Sequence, residues 1–284
     1  MITTFFKSVA LSLILLAAIS LLFSAKAEED TSSNCSYKVG VVPQFEQRRI
    51  FAVWTPILEM INQKTGCEFH LIGSKSIIEF ERAFKEGVYD FAYMNPYHAV
   101  MAKKAQGYKP LVRSGTKKLK GILVVKKDST VTDLEALTGK KVAFPSPNAL
   151  GASLLMRAEL ANKHNSHPEA MYVKTHSSVY LHVAKGLALA GGGVGRTLEE
   201  QPDFIKNSLK VIYTTTPVYA HPFVAHPRVG IEMQKNIQDI WVKEAVSGTD
   251  LFNGIPMKEA LAISYNDYID LENLGLENFL GNED

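Results

Sequence analysis

The sequence predicts an α/β protein of two lobes. Short apolar runs of strand length alternate with amphipathic helical stripes, joined by loops of a few residues, which is the pattern of a largely parallel sheet flanked by helices. The alternation starts afresh near residue 128, giving two units of about 90 residues in series. No internal repeat and no low-complexity linker interrupts it.

In chain order, residues 37–42 form a strand that Pro43-Gln44-Phe45 ends. Residues 48–64 carry Ile50, Phe51, Val53, Trp54, Ile57, Leu58 and Ile61 on one helical stripe, stopped by Thr65-Gly66. Residues 68–72 are a second strand, and 77–87 a helix with Ile77, Phe80, Ala83 and Phe84 inward. A third strand at 90–93 is closed by Met94-Asn95-Pro96, and a helix follows at 97–107. Strands are expected near 110–113 and at 121–126, then a short helix before Leu137 capped by Thr132.

In the second unit, residues 141–144 form a strand, 150–164 a helix with an Asn cap at its start, and 171–174 a strand. Residues 177–185 are a helix, 187–190 a strand, and Gly191-Gly192-Gly193-Val194-Gly195 a loop. A helix at 196–201 and a strand at 209–213 complete the unit. Beyond Pro227 the chain is helical and amphipathic, with a helical tail near 265–280.

The first 27 residues read as a cleavable leader. Lys7 supplies the positive start, residues 9–23 the apolar stretch, and Ser24-Ala25-Lys26-Ala27 the small residues of a cleavage site after Ala27. Glu28-Glu29-Asp30 follow, which disfavours an uncleaved anchor, and Ser32-Ser33-Asn34 before Cys35 is no lipidation box. The mature protein is therefore expected to be soluble and exported, in the periplasm of a Gram-negative source. Losing Lys7 and Lys26 takes the net charge from +2 to zero. With no basic block, nucleic acid and anionic membrane surfaces are poor partners. Cys35 and Cys67 each precede a strand. If those strands are parallel neighbours, an oxidising compartment favours a disulfide between them; two free thiols are the alternative.

In open α/β sheets, ligands sit beyond the carboxyl ends of the strands. The loops there carry Gln44 and Phe45; Asn95, Tyr97 and His98; Ser146, Asn148, Gly151 and Ser153; His176 and Ser177; and Gly193. Several open directly into helices, whose unpaired N–H groups favour a small anion. His176 can donate to such an anion or merely cap its helix, and Tyr97 can contact a ligand or pack. Asn95 and His98 stand at a helix start, where both also serve structure. Arg196 offers an anion partner or a surface ion pair.

On Val41-Val42-Pro43-Gln44-Phe45, Phe91-Ala92-Tyr93-Met94-Asn95-Pro96-Tyr97-His98 and Phe144-Pro145-Ser146-Pro147-Asn148-Ala149-Leu150-Gly151-Ala152-Ser153, the chain resembles a known family. Thr175-His176-Ser177-Ser178-Val179-Tyr180, Thr216-Pro217 and His221-Pro222 add to the likeness. The family is the phosphate/phosphite/phosphonate-type substrate-binding proteins of ABC transporters. The resemblance implies a two-lobed periplasmic-binding-protein fold with two crossover strands at a venus-flytrap hinge, near 121–126 and 213–224. Lobe 1 would then hold 28–120 and 220–284, and lobe 2 would hold 121–219. It also implies a ligand held by hydroxyls at the helix start, first-lobe aromatics and a second-lobe histidine, with Tyr97 and His176 as matching residues. Asn148-Ala149-Leu150 stand where the hydroxyl run would be, leaving Ser146 and Ser153 nearby. Ser177-Ser178 and residues 193–195 replace the acids that receive an aminoalkyl group, which argues against a phosphonate with an amino tail.

The function this implies is an exported solute-binding protein that delivers a phosphate- or phosphonate-like oxyanion to an ABC permease, as a monomer, without cofactor, metal or catalysis. One alternative is a periplasmic sensing protein that reports to a sensor kinase. Another is a metal-binding transport protein using His98, His176, His182, His221 and His226, though no HxH or HExxH spacing supports it. Ser177 and Ser178 beside His176 lack a nucleophile elbow, which argues against a hydrolase.

Overall fold

The computed structural model describes residues 35–247, 250–257 and 259–281; the expected leader and the cleavage site expected after Ala27 lie outside the described residues. The chain begins with β1 (Ser36–Val41), α1 (Gln47–Thr65), β2 (Glu68–Ile72), α2 (Ile77–Lys85), β3 (Phe91–Tyr93), α3 (Pro96–Gln106) and β4 (Lys109–Ser114). It continues through β5 (Lys118–Leu119), β6 (Gly121–Lys126), β7 (Lys141–Phe144), α4 (Leu155–His164), β8 (Glu169–Tyr172), α5 (His176–Ala184) and β9 (Ala190–Val194). Then come α6 (Gly195–Glu199), α7 (Asp203–Lys206), β10 (Leu209–Thr214), β11 (Val218–Tyr219), β12 (Phe223–Ala225), α8 (Ile231–Val246) and β13 (Ala260–Ala262).

Two mixed sheets divide these strands. One has the order β13-β4-β12-β3-β1-β2, the other β10-β6-β9-β7-β8. In the first, β1 runs parallel to β2 and β3, while β12 and β13 run antiparallel to their neighbours. In the second, β7 is parallel to β8 and β9, and β6 is antiparallel to β9 and β10. The protein is thus two-lobed α/β. The second expected crossover, 213–224, contains β11, whereas the first, 121–126, begins just after β5. β6 and β10 belong to the second sheet, and the hinge ribbon is the separate antiparallel pair of β5 and β11.

Local chemistry explains most helix boundaries. Side-chain oxygens of Ser76, Asn95 and Thr175 accept from the N–H of Glu79, His98 and Ser178 at 3.1, 2.8 and 3.1 Å, capping α2, α3 and α5. Each such cap contributes about 1 kcal/mol. Gly66 and Gly107 end α1 and α3 in the left-handed region, with φ of 71° and 77°. The turn before Leu137 is 3-10 (Glu135–Leu137), and Asp133 rather than Thr132 accepts from the Glu135 N–H, at 3.0 Å.

Burial follows strand alternation. Along β6, Ile122 and Val124 enter a cluster with Val179, Tyr180 and Val183, while Leu123 and Val125 enter one with Phe144, Met156 and Leu160 on the other face. In the first lobe the core is aromatic. The Phe91 and Phe223 rings stack at 5.7 Å, and Trp241 lies 5.1 Å from Phe223. Another cluster joins Tyr97 and Val100 of α3 to Leu150, Leu154 and Leu155 and to Tyr268, Leu271 and Leu276 of the C-terminal tail.

Three expectations are corrected. Residues 190–194 are β9, a fully buried central strand, not a glycine loop. The helix after β7 opens with a π-helical turn, Leu150–Leu154, and its N-cap is Ala149 without a side-chain bond, so Asn148 is not its cap. The tail folds as 3-10 turns at Tyr265–Asp267, Ile269–Asn273 and Leu276–Phe279, preceded by β13. Cys35 and Cys67 form a disulfide with Cα atoms 4.9 Å apart, because the Ser36–Glu68 register of parallel β1 and β2 sets them side by side.

Candidate functional site

Strand ends, helix starts and the hinge ribbon converge on a small cavity between the lobes. The first lobe contributes Val42 and Gln44 after β1, Ile77 at the start of α2, and Asn95 after β3. The second contributes residues 149–152 of the π turn, His176 at the start of α5, and Val194 at the end of β9. Leu119 of the ribbon and His221 beyond it complete the wall. The cavity measures about 20 Å³, room for about one water molecule. It adjoins a larger cavity of about 440 Å³ lined by Phe45, Lys117, Lys118, Lys120, Arg196 and Thr197 among others. Gln44, Leu119, Val194 and His221 line both, so they form the neck.

The π turn lies close to the strands beneath it. A Cβ on Gly121 would stand 1.9 Å from the Gly151 carbonyl oxygen, and one on Gly192 would stand 1.9 Å from that of Ala152. Gly121 and Gly192 therefore let a helix start approach the sheet, and this brings residues 149–152 to the cavity.

Two histidines face the cavity from opposite sides. His176 is buried, and its Nδ1 lies 3.4 Å from the Thr197 hydroxyl, which also bonds Tyr180 and the Val194 carbonyl. His221 stacks on Tyr93 at 5.4 Å. Burial lowers the His176 pKa to about 4. Burial, with His98, His176 and Arg196 nearby, lowers that of His221 to about 3. Both imidazoles are neutral at pH 7. No Asp or Glu lines either cavity. Arg196 is held by Glu200 at 2.8 Å and the Gly254 carbonyl at 2.5 Å.

Of the residues singled out from sequence, Gln44, Phe45, Asn95, Gly151, His176, Arg196 and His221 reach these cavity walls. The others lie elsewhere. Tyr97 packs in the apolar cluster with the tail. His98 is fully buried between Phe80 and Phe84, its Nε2 3.0 Å from Glu81. Ser146 is buried with its hydroxyl unpaired, and Ser153 accepts from Arg157 at 3.2 Å. Ser177 is exposed and accepts from Gln201 at 3.1 Å. The face of Gly193 that a Cβ would occupy is filled by Tyr180, whose hydroxyl would lie 2.1 Å away. Sequence reading named His221 only within the family likeness and the metal-binding alternative, and did not name Leu119, Lys117, Lys118 or Lys120 at the site. Their signal was their position in the segments crossing between the units.

Asn148 bridges the lobes. Its Nδ2 donates to Glu81 of α2 at 2.9 Å and to the Gly281 carbonyl at 3.1 Å, and its Oδ1 accepts from the Gly281 N–H at 3.1 Å. Asn95 donates to the Asn148 carbonyl at 3.4 Å, and Arg157 donates to the Phe279 carbonyl at 2.6 Å. Elsewhere Arg49 of α1 pairs with Glu200 beyond α6. These contacts close the lobes on each other. Among the described residues, no group of three or more His, Cys, Asp or Glu is arranged to hold a metal ion, so the five histidines do not converge as a centre.

The PhnD1 protein of Prochlorococcus marinus, in complex with methylphosphonate, has a similar fold, with a TM-score of 0.76 and 16% identity over 86% of this chain and 98% of that one. A binding-protein component of an ABC phosphonate transporter from Pseudomonas aeruginosa superposes with a TM-score of 0.73 and 16% identity over 85% of each chain. A Xanthomonas citri protein bound to ATP gives a TM-score of 0.71 and 14% identity over 87% of this chain and 98% of that one. Residues 39–268 match the model of one family, and with its fold and interlobe cleft the chain belongs to that family, the periplasmic substrate-binding proteins of phosphonate ABC transporters.

Proposed function

We propose that this protein, exported by its leader, holds a small oxyanion at the neck between its lobes and presents it to an ABC permease as a monomeric carrier, without catalysis. The observation that carries this reading is the neck itself. Where a cavity lined by Lys117, Lys118 and Lys120 narrows, the neutral donors Gln44 and His221 stand at the neck, and His176 of the other lobe lies on the inner wall behind it. The lysines raise the local anion concentration, and the neutral donors fix the oxyanion by hydrogen bonds. Asn95 and Gly151 act as cavity-wall residues in this reading. Tyr97, His98, Ser146, Asn148, Ser153, Ser177 and Gly193 act by supporting the walls.

The methylphosphonate held by the Prochlorococcus protein makes alkylphosphonates the first class to test. Without an acid in the cavity walls, a cationic amino tail has no partner. The inner cavity is smaller than a phosphonate, so the lobes separate slightly about the ribbon to admit it, and contacts from both lobes favour reclosure. A permease fits better than a sensor kinase because the matching family is one of transporters.

A thermal-shift panel of methylphosphonate, phosphate, phosphite, sulfate and 2-aminoethylphosphonate tests the reading. At 100 times its Kd, a ligand stabilises by about 2.7 kcal/mol. Methylphosphonate or an inorganic oxyanion is expected to raise the midpoint, and the aminoalkyl compound is not. A panel without any shift contradicts the oxyanion assignment.

A further inference from the structure

The inner cavity holds no fixed cation for the charge its ligand brings. Its polar side chains are Gln44, Asn95, His176 and His221, and the remaining wall is aliphatic or backbone. Arg196 of α6 is engaged by Glu200 and the Gly254 carbonyl. Lys118 sits 3.3 Å over the Tyr219 ring, and Lys117 and Lys120 are exposed in the outer cavity. Tyr93 of β3 stacks on His221, and His98 of α3 is bound to Glu81. Thr197 is the polar neighbour of His176 and is shared with Tyr180.

A dianion enclosed in such a wall is left with most of its charge uncompensated, which is costly at low dielectric. The groups at the wall able to gain a positive charge are the two imidazoles, one from each lobe. We propose that anion binding is coupled to proton uptake by the His176–His221 pair, so that closing the lobes on a dianion also draws a proton from solvent onto an imidazole. This rests on the oxyanion reading above. The balance is simple: the anion and one proton enter together, and both leave on opening. Burial keeps both rings neutral until an anion enters, so the proton arrives with the ligand. A carrier built this way prefers dianions at mildly acidic pH.

The test is calorimetric titration of the mature protein with sulfate and with methylphosphonate, at pH 6.5, in buffers of contrasting ionisation enthalpy. Sulfate has no ionisation of its own in this range, and that of methylphosphonate is titrated separately and subtracted. About one proton taken up per anion is expected, with affinity for sulfate falling about tenfold per pH unit as pH rises through the range of uptake. His176→Gln and His221→Gln keep a hydrogen-bonding group in place, and at least one of them should reduce the uptake. Binding heats that do not depend on the buffer overturn the proposal while leaving the anion site standing. Undiminished uptake in the double variant overturns it as well. If neither anion binds, the oxyanion reading falls and the proposal falls with it.

Discussion

At Gly192 a methyl group would meet the Ala152 carbonyl at 1.9 Å and the Phe144 ring at 2.7 Å, with backbone and a buried ring both unable to yield. Gly192→Ala is therefore expected to destabilise by about 3 kcal/mol in urea unfolding, whereas Ala at Gly195, which has open space around it, is expected to change little. The histidines make a second residue-scale prediction. Their folded-state pKa values, about 4 and about 3, lie below the ordinary 6.5, so unfolding takes up protons between those limits. Stability is then fully present above pH 6.5 and falls as the solution is acidified, by up to about 1.4 kcal/mol per pH unit for each ring. Urea midpoints at pH 7.5, 6 and 5 check this; a midpoint constant over that range contradicts buried neutral imidazoles. His176 was legible because it follows a strand and opens a helix. His221 was less so, since it lies beyond a two-residue ribbon strand that has no periodicity to read. Asn148 looked like a helix cap because Asn before a helical stripe is a cap signal, but its amide turns to Glu81 and Gly281 instead.

Long, strongly patterned elements were legible in the chain, and their ends were marked by caps and glycines. What escaped was short or locally ambiguous. β5 and β11 have two residues each and β13 has three, too few to show alternation. Residues 191–195 looked like a loop because glycine favours turns, but at Gly191, Gly192 and Gly193 the missing side chains make room for Ala152, Phe144, Val179, Val183 and Tyr180. The disulfide joins the first two parallel strands across a separation of 32 residues, and its reduction is expected to cost about 2–4 kcal/mol. A thermal scan with and without reductant measures it; an unchanged midpoint would show that β1 and β2 hold without the bridge.

For the molecule as a whole, closure is held by the Glu81–Asn148–Gly281 bridge and by the Arg49–Glu200 pair. The α/β class and the repeated pattern of units were readable from sequence. These bridges were not, because they join residues 67, 133 and 151 positions apart by side-chain geometry alone. Asn148→Ala leaves the buried Glu81 carboxylate with one hydrogen bond fewer, a loss of about 1–3 kcal/mol. Small-angle scattering of the ligand-free variant should show a larger radius of gyration than the wild type; equal radii would mean that the bridge does not control opening. The central claim is that an oxyanion sits at the neck between the lobes. A crystal structure grown with methylphosphonate tests it most directly. The account predicts the phosphonate oxygens within hydrogen-bonding distance of Gln44 and of His176 or His221. A phosphonate bound elsewhere would contradict it.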